Sequence, residues 1–157
     1  MTRVVFGVAI AVVLMATSCG KDAVYDANIE IPQNGWSSDS LATFTVDITD
    51  TISAHLIYIN IRNTTSYPNS NLYLFVQTNS PSEAMLRDTV EYFLADTKGY
   101  WTGKGFGALR DNQFPYKQYV RFPEKGIYTF NLQQGMRTHN LTGVASVGIR
   151  IEKVTSK

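Results

Sequence analysis

Short runs in which apolar and polar residues alternate, each closed by turn-forming residues, constrain this chain more than any other feature of its sequence. Phe44, Val46 and Ile48 alternate with Thr45 and Asp47, and Ile57, Ile59 and Ile61 with Tyr58, Asn60 and Arg62. Leu72, Leu74 and Val76 alternate with Tyr73, Phe75 and Gln77, and Val147, Ile149 and Ile151 with Gly148 and Arg150. Successive side chains of a strand point to opposite faces, so each run specifies a strand with one buried and one wet face. Similar runs at 25–31, 90–94, 119–122 and 128–132 bring the candidate strands to eight. Pro32-Gln33-Asn34-Gly35, Tyr67-Pro68-Asn69-Ser70-Asn71, Asn79-Ser80-Pro81 and Pro123-Glu124-Lys125-Gly126 supply the turn chemistry between them. Helical periodicity is absent apart from one turn near 82–85. The expected fold is all-β, a single antiparallel β-sandwich of jelly-roll or immunoglobulin-like type. Glu124-x-Gly126-x-Tyr128-x-Phe130 has the spacing of a tyrosine corner, in which a hydroxyl bonds to backbone upstream; an ordinary core tyrosine fits the same spacing.

The start of the chain is different. Arg3 precedes an apolar run of 13 residues, 4–16, followed by Thr17, Ser18 and Cys19. Spanning a bilayer as a helix takes about 20 residues, so this is a cleaved secretory signal rather than a membrane span. Small residues before the sole cysteine resemble the signal of bacterial lipoproteins, in which the thiol is lipidated and becomes the mature N-terminus; Ala16 stands where such signals usually have leucine. The expected organisation is a signal peptide at 1–18, a lipidated tether at 19–24 and a β-sandwich at 25–157. The protein is then tethered to a membrane of the cell envelope, on its periplasmic or outer-membrane side, without crossing it. Loss of residues 1–18 removes Arg3 and brings the 14 basic residues down by one, level with the 13 acidic ones. Nucleic acid is excluded as a partner by that balance.

With one cysteine and two histidines, Cys/His metal chemistry is hard to assemble, and neither a metal nor another cofactor is expected. His55 at a strand start and His139 in the turn Arg137-Thr138-His139-Asn140 read as surface or turn residues. No Gly-x-Ser-x-Gly elbow is present. Asp47, Asp50, Asp88, Asp96 and Asp111 could include a glycosidase pair, but all except Asp47 adjoin Thr or Asn, which strand-end turns use anyway. The expectation is a protein without catalytic activity.

Four glycines fall within 99–107. The spacing is wrong for a phosphate-binding loop, because three residues rather than four separate Gly99 from Gly103 and Gly105 follows Lys104. One reading is a long connection whose glycines supply positive φ while Trp101 and Phe106 pack back onto the sandwich. In the other, Tyr100, Trp101 and Phe106 are exposed and form a platform for a sugar or a protein partner. Asp39-Ser40-Leu41, Asp50-Thr51-Ile52 and Asp88-Thr89-Val90 share an acid-hydroxyl-aliphatic order, which reads as strand entry with the aliphatic opening the buried face.

Several stretches together resemble the GldH gliding-motility lipoprotein family of the Bacteroidota. They are Tyr25-Asp26-x-Asn28-Ile29-x-Ile31-Pro32-x-Asn34-Gly35-Trp36, Ile57-Tyr58-Ile59-Asn60-Ile61-Arg62-Asn63-Thr64-Thr65-x-Tyr67-Pro68 and Asn71-Leu72-Tyr73-Leu74-Phe75. Leu94-Ala95-Asp96, Trp101-x-Gly103-x-Gly105-x-Gly107, Phe122-Pro123, Gln134-x-Met136-Arg137 and Val147-Gly148-Ile149-Arg150-Ile151-Glu152-Lys153 complete the set. The resemblance implies a small envelope lipoprotein, required for gliding in motile members and present in non-gliding ones, with no known enzymatic activity and no defined functional residues. On that view the protein is an assembly or scaffold component docking on an envelope protein; the alternative is a lipid-anchored carbohydrate-binding module. The resemblance also implies Ser40, Thr51 and Thr89 as candidate O-glycosylation sites.

Overall fold

The computed structural model describes residues 23–155, in which every long strand pairs antiparallel with its neighbours. One sheet has the order β1 (Ala23–Glu30), β10 (Val144–Lys153), β4 (His55–Thr64), β7 (Leu109–Val120). The other has the order β3 (Ala42–Ile48), β8 (Gly126–Gln134), β5 (Asn71–Asn79), β6 (Met85–Phe93). A ribbon of β2 (Trp36–Ser37) and β9 (Asn140–Leu141) closes one end. An immunoglobulin domain keeps its first two strands in one sheet. Here β1 and β3, the first two long strands, lie in opposite sheets, and the connectivity is the double Greek key of a jelly roll.

The alternating runs supply the core. Phe44, Val46, Ile48, Leu72, Leu74, Val76, Phe130 and Leu132 from one sheet meet Ile57, Ile59, Ile61, Val147, Ile149 and Ile151 from the other in a single buried cluster. The tyrosine corner forms within this topology: the Tyr128 hydroxyl donates to the Glu124 carbonyl at 3.0 Å and accepts from the Glu124 N–H at 3.3 Å.

Three expectations need correction. The strand expected at 119–122 is the tail of a longer one, β7, which ends at Val120, while Phe122 lies beyond it and is buried. As an edge strand carrying Pro115 and two register shifts against β4, β7 has no clean period to read. His55 is a buried residue rather than a surface one; its ring meets Phe122 edge-on at 5.2 Å, and Nδ1 has no hydrogen-bond partner among the described residues. Pairing of β1 with β10 begins at Ala23, two residues inside the stretch expected as tether.

Between the free edges of β6 and β7 the two sheets are stitched by side chains. Tyr92 stacks on Phe114 at 4.5 Å and its hydroxyl donates to the Pro115 carbonyl. Tyr116 donates to Asp88 at 2.6 Å, and Lys117 lies 2.9 Å from the same carboxylate. The Tyr116 hydrogen bond, with help from Lys117, holds the Asp88 carboxyl below its ordinary pKa, while burial pushes the Tyr92 phenol up to about 12.

Candidate functional site

The glycine-rich connection between β6 and β7, residues 94–108, is two small hairpins in series. In the first, the Asp96 carboxylate accepts the N–H groups of Lys98 and Tyr100 at 2.9 and 3.0 Å, the Asp96 N–H donates to the Tyr100 carbonyl, and Gly99 takes a φ of 84°. In the second, Lys104 and Asp111 exchange both backbone bonds. A Cβ on Gly105 would lie 2.3 Å from the Leu109 carbonyl oxygen, so only glycine permits that approach. Arg110 ties the tip by donating to the carbonyls of Gly107 and Leu109.

Buried amides fasten this loop to the sandwich. Asn112 donates to the Ile61 carbonyl and to Asn63 Oδ1, and its own Oδ1 accepts from the Thr102 hydroxyl at 3.2 Å. A Cβ on Gly103 would fall 2.8 Å from the Asn112 amide, so the glycine makes room for the fastening. Asn63 and Asn112 escaped the sequence reading because a polar residue at a strand end carries no local mark of burial; the nearest signal was Gly103 itself.

The expected aromatic residues therefore divide. Trp101 bridges Ala95 and packs, half-buried, on the core, as one reading had it. Phe106 does not pack back: it is 97% exposed at the tip of the second hairpin, and Tyr100 is 69% exposed on the first. Phe93 and Leu109, where the loop joins its strands, are exposed too. Stacking between Tyr100, Trp101 and Phe106 is absent among the described residues, so they are separate protrusions rather than one flat platform.

Hydrogen-bonding groups for a sugar lie elsewhere, on the outer face of the β1-β10-β4-β7 sheet. There Asn28, Gly148, Asn60 and Gln113 occupy one row across four strands, in a groove of about 360 Å³. Gln113 donates to Asn60 at 3.0 Å, and Asn28 lies across Gly148, where a Cβ would come within 2.0 Å of its Oδ1. None of Tyr100, Trp101 and Phe106 lines this groove.

One constellation imitates a catalytic triad. Ser38 Oγ is 2.9 Å from His139 Nδ1, and Asp39 Oδ2 is 3.9 Å from His139 Nε2. Oxyanion stabilisation needs backbone donors aimed at vacant space. Here the N–H groups of Ser38, Asp39 and Ser40 are spent on His139 O, Ser37 Oγ and Ser37 O, and both His139 and Asp39 stand in open solvent. Of the candidate carboxylates, Asp50 pairs with Lys153, Asp88 with Lys117, Asp111 with Arg62, and Asp96 closes its turn. Strand entry explains none of the three tripeptides: Asp88 lies inside β6 rather than at its start, although Val90 is half-buried, and Leu41 and Ile52 are exposed. Ser40 and Thr89 are exposed and Thr51 half-buried.

The model of the GldH lipoprotein family matches residues 23–151, nearly the whole jelly roll. The chain is 36% identical over 148 residues to the gliding motility lipoprotein GldH homolog of Christiangramia forsetii, covering 90% of each chain. It is 30% identical to the gliding motility lipoprotein GldH of Flavobacterium johnsoniae over 94% of this chain and 95% of that one. The chain belongs to the GldH lipoprotein family. In the GldH fold, the residues that carry the resemblance are structural: Trp36 is buried and donates to the Ser40 carbonyl, Tyr67 donates to the Asn71 carbonyl, and Asn63 holds Asn112. Cys19, the lipidation site expected of such a protein, lies outside the described residues.

Proposed function

We propose that this GldH-family chain is a non-catalytic component of the cell envelope, anchored by lipid on Cys19, that presents the 94–108 hairpins to an envelope protein as part of the gliding apparatus or its counterpart. The names of its relatives support the lipoprotein and its link to gliding. The observation that favours docking is Phe106, a large apolar side chain almost fully exposed on a loop whose base is clamped by buried amides. A rigid aromatic anchor of this kind loses little entropy on binding, and such residues dominate protein interfaces. A photo-crosslinker at 106 in the native host should give one discrete adduct with an envelope protein, and a crosslinker at Asn60 should not. Equal labelling from both positions, or none from 106, would overturn the docking role.

The amide row of Asn28, Asn60 and Gln113 favours the carbohydrate-binding alternative, since amides that keep spare donors and acceptors beside the Gln113–Asn60 bond suit neutral polyols. It ranks second because the exposed aromatics lie off that groove. Specific glycan-array binding that is lost in Asn60→Ala would reverse the ranking. For O-glycosylation, Ser40 and Thr89 are the open candidates and Thr51 the least accessible; the intact mass of protein from the native host tests all three.

A further inference from the structure

We propose that the end of the sandwich formed by the turns 49–54, 80–84 and 121–125 lies against the lipid bilayer, with Ile52, Met85, Leu86 and Tyr119 entering its interface. The proposal rests on the reading of Cys19 as the lipidated residue. Its geometry comes from where β1 begins. Ala23 pairs with Glu152, Glu152 with Leu56, and Lys153 with His55, so the start of β1, the end of β10 and the start of β4 share one end of the sheet. Lys153 bonds Asp50 at 2.8 Å and the Val154 N–H donates to the Ala54 carbonyl, which joins the 49–54 turn to that end. Four residue steps separate Cys19 from Ala23, a reach of at most about 14 Å fully extended. Lipid on Cys19 therefore brings this end, and not the opposite one, to the membrane surface. The far ends of the ten-residue strands β4 and β10 stand roughly 30 Å away.

The side chains at this end suit an interface. Ile52 is 83% exposed on a turn fixed by the Asp50 carboxylate, which accepts the N–H groups of Ile52 and Ser53, and by Arg121, which donates to the Ile52 carbonyl. Met85 and Leu86 are 67% and 53% exposed at the mouth of an apolar pocket of about 290 Å³ whose lining reaches the buried Ile57, Phe122 and Phe130. Tyr119 is held at a φ of 55° in a bulge of β7 and is 67% exposed. A non-glycine residue in that conformation is strained, and the strain here aims an aromatic ring outward. Aliphatic tips flanked by an amphipathic tyrosine and by Arg121 and Lys125, which have no carboxylate partner among the described residues, match the apolar-to-charged gradient of a lipid surface.

The test uses the native lipoprotein reconstituted in phosphatidylcholine/phosphatidylglycerol vesicles. With Cys19 blocked by its lipid, one added cysteine takes a single spin label. Labels on Ile52→Cys and Met85→Cys should lose collision with a water-soluble nickel chelate and gain collision with oxygen, while a label on Phe106→Cys should behave as in bulk water. Equal chelate access at 52 and 106 overturns the proposal. So does protection at 52 in the lipid-free Cys19→Ala protein without vesicles, because a second copy then covers the turn. A glycan found on Thr51 also overturns it, since it would hold the turn off the lipid. If the wild-type protein stays out of the vesicles and Cys19 itself takes the label, the anchor reading falls and the orientation with it, an outcome distinct from the others.

Discussion

The two ends of this jelly roll satisfy their backbones in opposite ways. At the end where β1 starts, the turns 49–54, 80–84 and 121–125 are short and are held by their own residues and by one another: Asp50 accepts the N–H groups of Ile52 and Ser53, Glu124 accepts the Ser82 N–H and O–H, and Arg121 donates to the Ile52 carbonyl. At the other end, the connections 31–41, 94–108 and 135–143 are too long for that. Their polar groups are met by side chains rooted in the sandwich, with Asn63, Asn112 and Gln134 all buried. Gln134 donates to the Thr138 carbonyl and accepts the Met136 N–H, both at 2.8 Å. A buried backbone group left unpaired costs about as much as a lost hydrogen bond, so long loops can sit firmly on a core only with such internal partners. The long-loop end is thus held from inside the sandwich, although it looks the less regular.

The sharpest way to break this comparison is at the two tryptophans of the long-loop end. Trp36 is fully buried and bonded to the Ser40 carbonyl, whereas Trp101 is half-buried. Trp36→Ala should cost about 3–5 kcal/mol, the range for large aromatic residues deleted from a core. Trp101→Ala should cost clearly less and leave unfolding cooperative. Thermal unfolding of the pair decides the matter, and equal losses would mean that the loop, not the closing ribbon, carries that end.

Asn112→Ala comes next, at about 1–3 kcal/mol, because it leaves the buried Asn63 Oδ1 without the donor it has from Asn112. Its particular signature is local. Amide exchange at Thr102, whose N–H donates to the Leu94 carbonyl, should accelerate more than at Ile52 or Ser53. Uniform acceleration would show that the amide cluster supports the whole fold rather than the loop.

These buried amides mark where sequence reading stopped. Two-residue periodicity was enough to place β3, β4, β5 and β8, in which buried and wetter residues alternate, and β10 through Val147, Ile149 and Ile151, although Ser146 and Gly148 between them are buried as well. Periodicity failed for β7, an edge strand with Pro115 and two bulges, and for β2 and β9, which are too short to have a period. The tyrosine corner was legible because its spacing is local. The exposure of Phe106 was not, because nothing within 99–107 tells a glycine that lets an aromatic fold inward from one that lets a backbone turn sharply beneath it. That distinction lies in how closely the Gly105 backbone passes the Leu109 carbonyl, where a Cβ would fall 2.3 Å from the oxygen, and Leu109 lies outside that stretch.

At the short-turn end, Tyr128→Phe should cost about 1 kcal/mol, the net worth of one hydrogen bond, and more if the Glu124 carbonyl finds no water. An unchanged unfolding midpoint would deny the corner any structural role. Acid probes the neighbouring β6–β7 stitch. The Asp88 pKa is depressed in the folded state, so its contribution is present above the unfolded carboxylate value near 4 and is lost as pH falls through the lower folded value. Asp88→Asn should therefore narrow its stability gap to wild type as pH drops from 5 towards 2. A constant gap would mean that Tyr116 and Lys117 hold the edges together without help from the charge.

The smallest expected effect on stability belongs to Phe106→Ser, and it is the one that connects the long-loop end to the proposed function. The ring is 97% exposed and the tip is closed by backbone and Arg110 bonds that do not involve it. Its removal should shift stability by no more than about 0.5 kcal/mol, as for surface substitutions away from packing or caps. A folding role would demand more, and destabilisation comparable to Trp101→Ala would show that the tip packs against the sandwich after all. Conservation of the midpoint has a second consequence. An exposed phenylalanine that adds nothing to folding is free to serve as the contact proposed for it above. Phe106→Ser should then leave the protein folded and membrane-bound while losing its envelope partner, a separation of stability from function that Trp36→Ala, at the same end, cannot give.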